Sequence, residues 1–165
     1  MLASSSAVET GTPSPAAGEG DIDQPLVFES RFGTLTLHPR AAIFFPQGLL
    51  GFADFRDFVI ADLPDGKNPQ FKALQCLTDP NLAFLVAPLP SDSPAIDGND
   101  VEEACHTLSI AREDLAIVLI VTVRRDDDGA HVSVNLRAPV MIDTRQRTAR
   151  QYVLPNNKYE IRHRL

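Results

Sequence analysis

Asp114-Leu-Ala-Ile-Val-Leu-Ile-Val-Thr-Val-Arg-Arg125, then Asp126-Asp127-Asp128-Gly129-Ala130, then His131-Val-Ser-Val-Asn-Leu-Arg137 reads as two strands and their turn. The apolar run from Leu115 to Val123 is nine residues broken by Thr122, which suits a buried strand. It falls well short of the roughly 18 apolar residues a membrane helix needs. Asp128-Gly129 is a strong turn signal, although the connection looks longer than two residues. Beyond Arg137 the second strand is expected to run on through Ala138–Ile142, with Pro139 at an edge or bulge.

Outward from this hairpin the same period-two pattern recurs. Phe32–Leu37 alternates Thr34 and Thr36 against Leu35 and Leu37, and Pro39 closes it. Ala42–Phe45 is a second strand, stopped by Pro46, and Gly48 and Gly51 bracket a tight turn. Phe52, Phe55 and Phe58 recur every three residues, which predicts one helical or 3₁₀ turn before a strand over Phe58–Leu63. Leu63-Pro64-Asp65-Gly66 is a turn, and Phe71–Leu77 and Leu82–Ala87 are two further strands around Thr78-Asp79-Pro80-Asn81. A short helix is expected from an Asn99 or Asp100 N-cap to about Thr107, and a last strand over Ala149–Leu154. The fold class that follows is all-β: a small β-barrel-like domain or sandwich over residues 25–165, with one or two short helices. Residues 1–24 hold four acids and no base in a Ser/Thr/Ala/Gly/Pro-rich stretch, which predicts a disordered acidic N-terminal tail.

The chain has 165 residues and is 44% apolar, enough for one core. Its start lacks the basic head and apolar stretch of a secretory signal, so the cytoplasm is the expected compartment. A net charge of −7 argues against direct nucleic-acid binding, which needs a basic footprint, and favours a basic protein partner. Charge is also uneven. Asp92–Asp114 carries seven acids against Arg112 alone, while Arg137 to the end carries seven bases against two acids.

Catalytic chemistry finds no foothold. There is no Gly-x-Ser-x-Gly, and Cys105-His106 are neighbours that would point about 100° apart on a helix. The four histidines stand singly and Cys76 and Cys105 form no Cys-x-x-Cys pair, so no metal site is expected. Asp126-Asp127-Asp128-Gly129 resembles the start of a calcium loop, but Arg137 falls where its late carboxylate belongs. No phosphate-cradling glycine loop occurs. The chain is therefore read as a non-enzyme with no cofactor. Two alternatives stay open. One is a ligand-binding or enzymatic module on a small barrel, such as a flavin-type site. The other is a nucleic-acid-binding β-barrel that stacks bases on Tyr152 and Tyr159.

Phe45-Pro46-Gln47-Gly48-Leu49-Leu50-Gly51-Phe52 resembles the F-P-x-G-L-P-G-F signature of the flagellar assembly factor FliW family. Three further blocks agree in order: Phe71–Cys76 with Phe84-Leu85-Val86, Asn135–Asp143, and Ala149–Leu154 with Tyr159, Arg162 and His163. The resemblance spans about residues 28–165. Leu50, Cys76 and Asp143 depart from the family's usual proline, serine and asparagine. It implies a compact barrel-like fold with no catalytic residues. It also implies binding to the RNA-binding translational regulator CsrA, away from that protein's RNA surface, which relieves repression of flagellin synthesis. Flagellin is implied as the competing partner, and a monomer is expected. The candidate partner-binding residues are Phe45, Phe52, Asp100, Glu102, Glu103, Arg137, Gln151 and Tyr152. The acids would steer a basic partner, and the aromatics and Arg137 would anchor it.

Overall fold

Alternation produces strands nearly everywhere the sequence predicts them. A computed structural model describes residues 24–165, so all of the expected tail except Gln24 lies outside the described residues. The strands are β1 (Leu26–Ser30), β2 (Gly33–Leu37), β3 (Ile43–Phe44), β4 (Asp57–Asp62), β5 (Lys72–Cys76) and β6 (Ala83–Leu89). They continue with β7 (Leu115–Asp126), β8 (Gly129–Val134), β9 (Val140–Asp143), β10 (Thr148–Gln151) and β11 (His163–Arg164). One helix, α1 (Gly98–Leu108), and two short 3₁₀ turns at Pro39–Ala41 and Arg112–Asp114 complete the described residues.

Seven strands close into a ring in the order β3-β4-β5-β6-β7-β9-β10, and β10 returns to β3. All neighbours are antiparallel except β10 and β3, which meet in parallel at Thr148 and Phe44. The fold is all-β and barrel-like. Inward residues of these strands, among them Ile43, Phe58, Leu74, Val86, Val118, Val140, Ile142 and Ala149, fill the barrel. The outward residues of β6, β7 and β9 meet α1 and the C-terminal segment in a second core built on Val101, Ala104, Ile117, Leu119, Met141, Leu154 and Tyr159. A third core lies where the β1–β2 hairpin lays Leu35 and Leu37 on Val59, Ala61 and Ala73 of β4 and β5. Burial on both faces explains why the first half of β7, residues 115–121, reads as a continuous apolar run rather than an alternating one.

The structure corrects four details. Asp126 pairs with Gly129, so the β7–β8 loop is only the two residues Asp127-Asp128, and the Asp126 carboxylate accepts the Asp128 N–H. Ala138–Ile142 does not prolong β8. The Asn135 carboxamide accepts the N–H groups of Arg137 and Ala138 and turns the chain, and β9 then pairs with the first half of β7. The N-cap of α1 is Asp97, whose side chain accepts the Asn99 N–H. Finally, β1 and β11 were not expected. Glu and Ser interrupt β1, and β11 is two polar residues whose only strand signal is its partner β8.

Candidate functional site

The stretch Phe45–Phe52 forms a cap on one mouth of the barrel. It starts where β3 ends, and it is built from successive tight turns. Gly48 N–H donates to Phe45 O at 3.0 Å, Phe52 N–H to Leu49 O at 2.8 Å, and Phe55 N–H to Phe52 O at 3.2 Å. Phe45 N–H closes the loop on Arg56 O at 2.7 Å. Such turning needs left-handed backbone at Gly48, with φ +63°, and at Gly51, with φ +84°. Leu49 points down into the barrel core, and Leu50, next along, must then point out.

Gln151 holds this cap in place. Its Oε1 accepts the Leu50 N–H at 3.0 Å, and its Nε2 donates to Ala138 O at 3.1 Å. The ladder between β9 and β10 runs on past both strands, as Tyr152 N–H donates to Pro139 O and Leu154 N–H to Arg137 O. Val153 therefore lies on the same side of an extended chain as Gln151. Phe52 rests edge-to-face on Phe84 with ring centroids 5.1 Å apart. The result is an apolar rim on a fixed backbone: Leu50 is 58% exposed, Val153 50% and Phe52 36%. Leu50, Phe52 and Val153 are apolar and exposed, so this mouth is suited to binding.

The candidates from the sequence divide into three groups. Phe52 and Gln151 meet at the mouth. Phe45 is fully buried, packed edge-to-face on Phe58 with centroids 5.0 Å apart, so it is the floor under the cap and offers a partner no surface. Arg137 and Tyr152 lie beside the mouth but face the α1 side, where the Arg137 guanidinium donates to Asn157 Oδ1 at 2.8 Å and Tyr152 packs against the second core. The three acids sit apart on α1. Asp100 is not a free surface charge: its carboxylate accepts the Tyr159 hydroxyl and lies 3.6 Å from Lys158 Nζ. Glu102 and Glu103 are exposed and line an open groove of about 770 Å³ with His106 and Arg112.

Sequence reasoning missed the exposure of Leu50 and Val153 and the role of Tyr159. Leu50 had one legible signal: two adjacent leucines in a tight turn cannot both point inward. Tyr159 had none, since its partners come from α1. Its hydroxyl accepts the Asp97 N–H at 2.9 Å and donates to Asp100, so it is a buried tie and no base-stacking platform. Burial, then the hydrogen bond to Asp100, holds the Tyr159 phenol above its ordinary value of 10.0. A phenol raised in the folded state stabilises fully below the unfolded value and loses that contribution as pH climbs through the folded one. The melting midpoint should therefore drop above about pH 10 in the wild type. Tyr159→Phe should start lower at pH 8, by about 1.5–3 kcal/mol for a bond to a charged acceptor, and show a smaller alkaline drop. Thermal melts across pH 8 to 11 check this.

Other groups offer less. The Asn99 N–H, then Lys158, holds the Asp97 carboxyl below the usual range, as befits a helix cap. Burial pushes the Cys105 thiol up, away from the thiolate that a nucleophile would need. Among the described residues no His, Cys, Asp or Glu cluster has the geometry of a metal site, and no helix is long and apolar enough to cross a membrane.

Fold and site together define a small closed β-barrel with one mouth capped by a rigid, apolar-tipped loop. The family model described as FliW protein matches residues 27–165, and the chain belongs to the FliW family. It is similar to the flagellar assembly factor FliW of Geotalea uraniireducens, 33% identical over 137 residues covering 83% of this chain and 82% of that one. The flagellar assembly factor FliW of Bdellovibrio bacteriovorus is 36% identical over 138 residues, 83% of this chain and 77% of that one. A crystal structure of the flagellar assembly factor FliW superposes with a TM-score of 0.63 at 28% identity, over 85% of this chain and 95% of that one.

Proposed function

We propose that this chain is a cytoplasmic flagellar assembly factor that acts by binding proteins and catalyses no reaction. Its partners in this reading are a CsrA-type RNA-binding regulator, whose repression of flagellin synthesis it relieves, and flagellin, which competes for it. Flagellin occupancy would then set the concentration of free regulator by mass action. The observation that carries the reading is the barrel mouth, where Leu50, Phe52 and Val153 stand exposed on a loop pinned by Gln151. Exposed apolar side chains on a fixed backbone lose little conformational entropy on binding, which is what a protein contact surface requires. One surface serving both partners gives the competition without any change of shape. Glu102 and Glu103 are exposed acids that can steer a basic partner, whereas Asp100 is committed to the fold.

The test is co-elution of the purified chain with its own CsrA-type regulator and, separately, with flagellin, for the wild type and for Leu50→Asp. Wild-type complexes at micromolar concentration, weakened in the variant, are the expected result. No complex with either partner would remove the functional reading. Complexes indifferent to Leu50→Asp would remove only the mouth as their surface.

A further inference from the structure

Among the described residues, closing the barrel hides most of the strand edges and leaves three that end their sheets, those of β11, β1 and β2. Exposed edges template association with other chains, and proteins blunt them with short length, charge or proline. The β11 edge is blunted in this way: it is two residues long and flanked by Arg162. The β1 edge is not. It runs five residues, Leu-Val-Phe-Glu-Ser, with Val27 73% and Leu26 51% exposed.

The register of the hairpin says which backbone groups are free. Ser30 faces Gly33 across the two-residue turn Arg31-Phe32, so the bonded pairs with β2 are Ser30–Gly33, Phe28–Leu35 and Leu26–Leu37. The N–H and C=O groups of Val27 and Glu29 therefore point away from β2, into the open edge. Pro25, with no N–H, ends the usable stretch on one side, and the turn ends it on the other.

We propose that β1 pairs antiparallel with β1 of a second copy, joining two hairpins into one four-stranded sheet about a two-fold axis at Phe28. In that register Val27 lies opposite Glu29 of the second copy, and all four free N–H and C=O groups on each side are used. The two Phe28 residues then face each other at the close, non-bonded position on the core face, where each is only partly covered at present. Neighbouring registers are worse. One sets Glu29 against Glu29, and the other sets Glu29 against Pro25. The Glu29 carboxylate already accepts Thr34 Oγ1 of its own hairpin at 3.0 Å, so it does not obstruct the edge. A contact of this size is small, so the dimer is weak and forms at high concentration. This inference is independent of the barrel mouth and of the partners assigned to it.

Sedimentation equilibrium of the full chain between about 10 μM and 1 mM tests it, at concentrations where contacts this small show. The average mass should rise from the 18.0 kDa monomer toward the dimer. Val27→Pro, which removes a free N–H and leaves the β1–β2 bonds intact, should abolish the rise, and Val27→Thr should preserve it. As a check that does not depend on tolerance of proline, Phe28→Cys should cross-link to a covalent dimer under mild oxidation much faster than Val27→Cys, since only position 28 meets itself. The native Cys76 and Cys105 are buried and stay out of the reaction. A mass fixed at monomer throughout, a rise that survives Val27→Pro, or equal cross-linking at positions 27 and 28 would each overturn the proposal.

Discussion

Gly48→Ala is expected to destabilise the protein by about 3 kcal/mol or more, while Gly51→Ala, three residues on, should cost only about 1 kcal/mol. Both glycines have left-handed backbone, so both substitutions carry the strain of placing a Cβ at positive φ, about 1–2 kcal/mol. Space separates them. A Cβ on Gly48 would lie 2.4 Å from Phe52 O and 2.7 Å from Ala53 Cα, backbone atoms that cannot step aside without opening the cap. A Cβ on Gly51 meets nothing within 4 Å. Urea unfolding of the two variants reads the difference directly, and equal costs would mean that the cap is not packed as described. Because Leu50 and Phe52 ride on this loop, the Gly48 variant should also lose partner affinity.

Gln75→Leu is the second large effect, expected at about 2 kcal/mol. Gln75 is fully buried on the outward side of β5, and its Nε2 donates to the carbonyls of Cys76 at 2.9 Å and of Asp79 and Leu82 at 3.2 Å. One amide thus gathers the turn between β5 and β6. Leucine keeps most of the volume and removes the donors, which leaves the buried Cys76 carbonyl without a partner at about 1–3 kcal/mol. Leu82 O still accepts the Cys76 N–H and Asp79 O the Leu82 N–H, which caps the total. Gln75 Oε1 has no protein partner, so the residue is held for what its amide nitrogen donates. Urea denaturation compares Gln75→Leu with the wild type. A loss under 1 kcal/mol would show that the turn holds itself.

These two residues also mark how far the sequence could be read. Strands were legible because alternation follows from local geometry: Leu35 and Leu37 share a face, as do Ile43 and Phe45. That same spacing already places Phe45 with the core rather than with a partner. Barrel closure was not legible, since it rests on a single parallel contact between Phe44 and Thr148 that no local pattern announces. Gln75 looked like an ordinary polar strand position, because alternation says which way a side chain points and not what covers it. Asp100 looked like a surface acid for the same reason, and only Tyr159, brought in by the C-terminal segment, commits it to the fold. At the mouth, the turn and its glycines were readable from spacing. The exposure of Leu50 and Val153, and the role of Gln151 as the tie beneath them, depend on a ladder that runs past the ends of β9 and β10.

In the proposed function, the capped barrel mouth is the surface through which this FliW-family chain meets its protein partners. The most direct measurement is the affinity of wild type and Leu50→Asp for the chain's own flagellin and CsrA-type regulator, by titration calorimetry at matched salt. A buried charge in a hot spot should weaken both complexes about 30-fold, or about 2 kcal/mol, with the melting temperature of the free protein unchanged. Unaltered affinity for both partners in a folded Leu50→Asp protein would contradict the account.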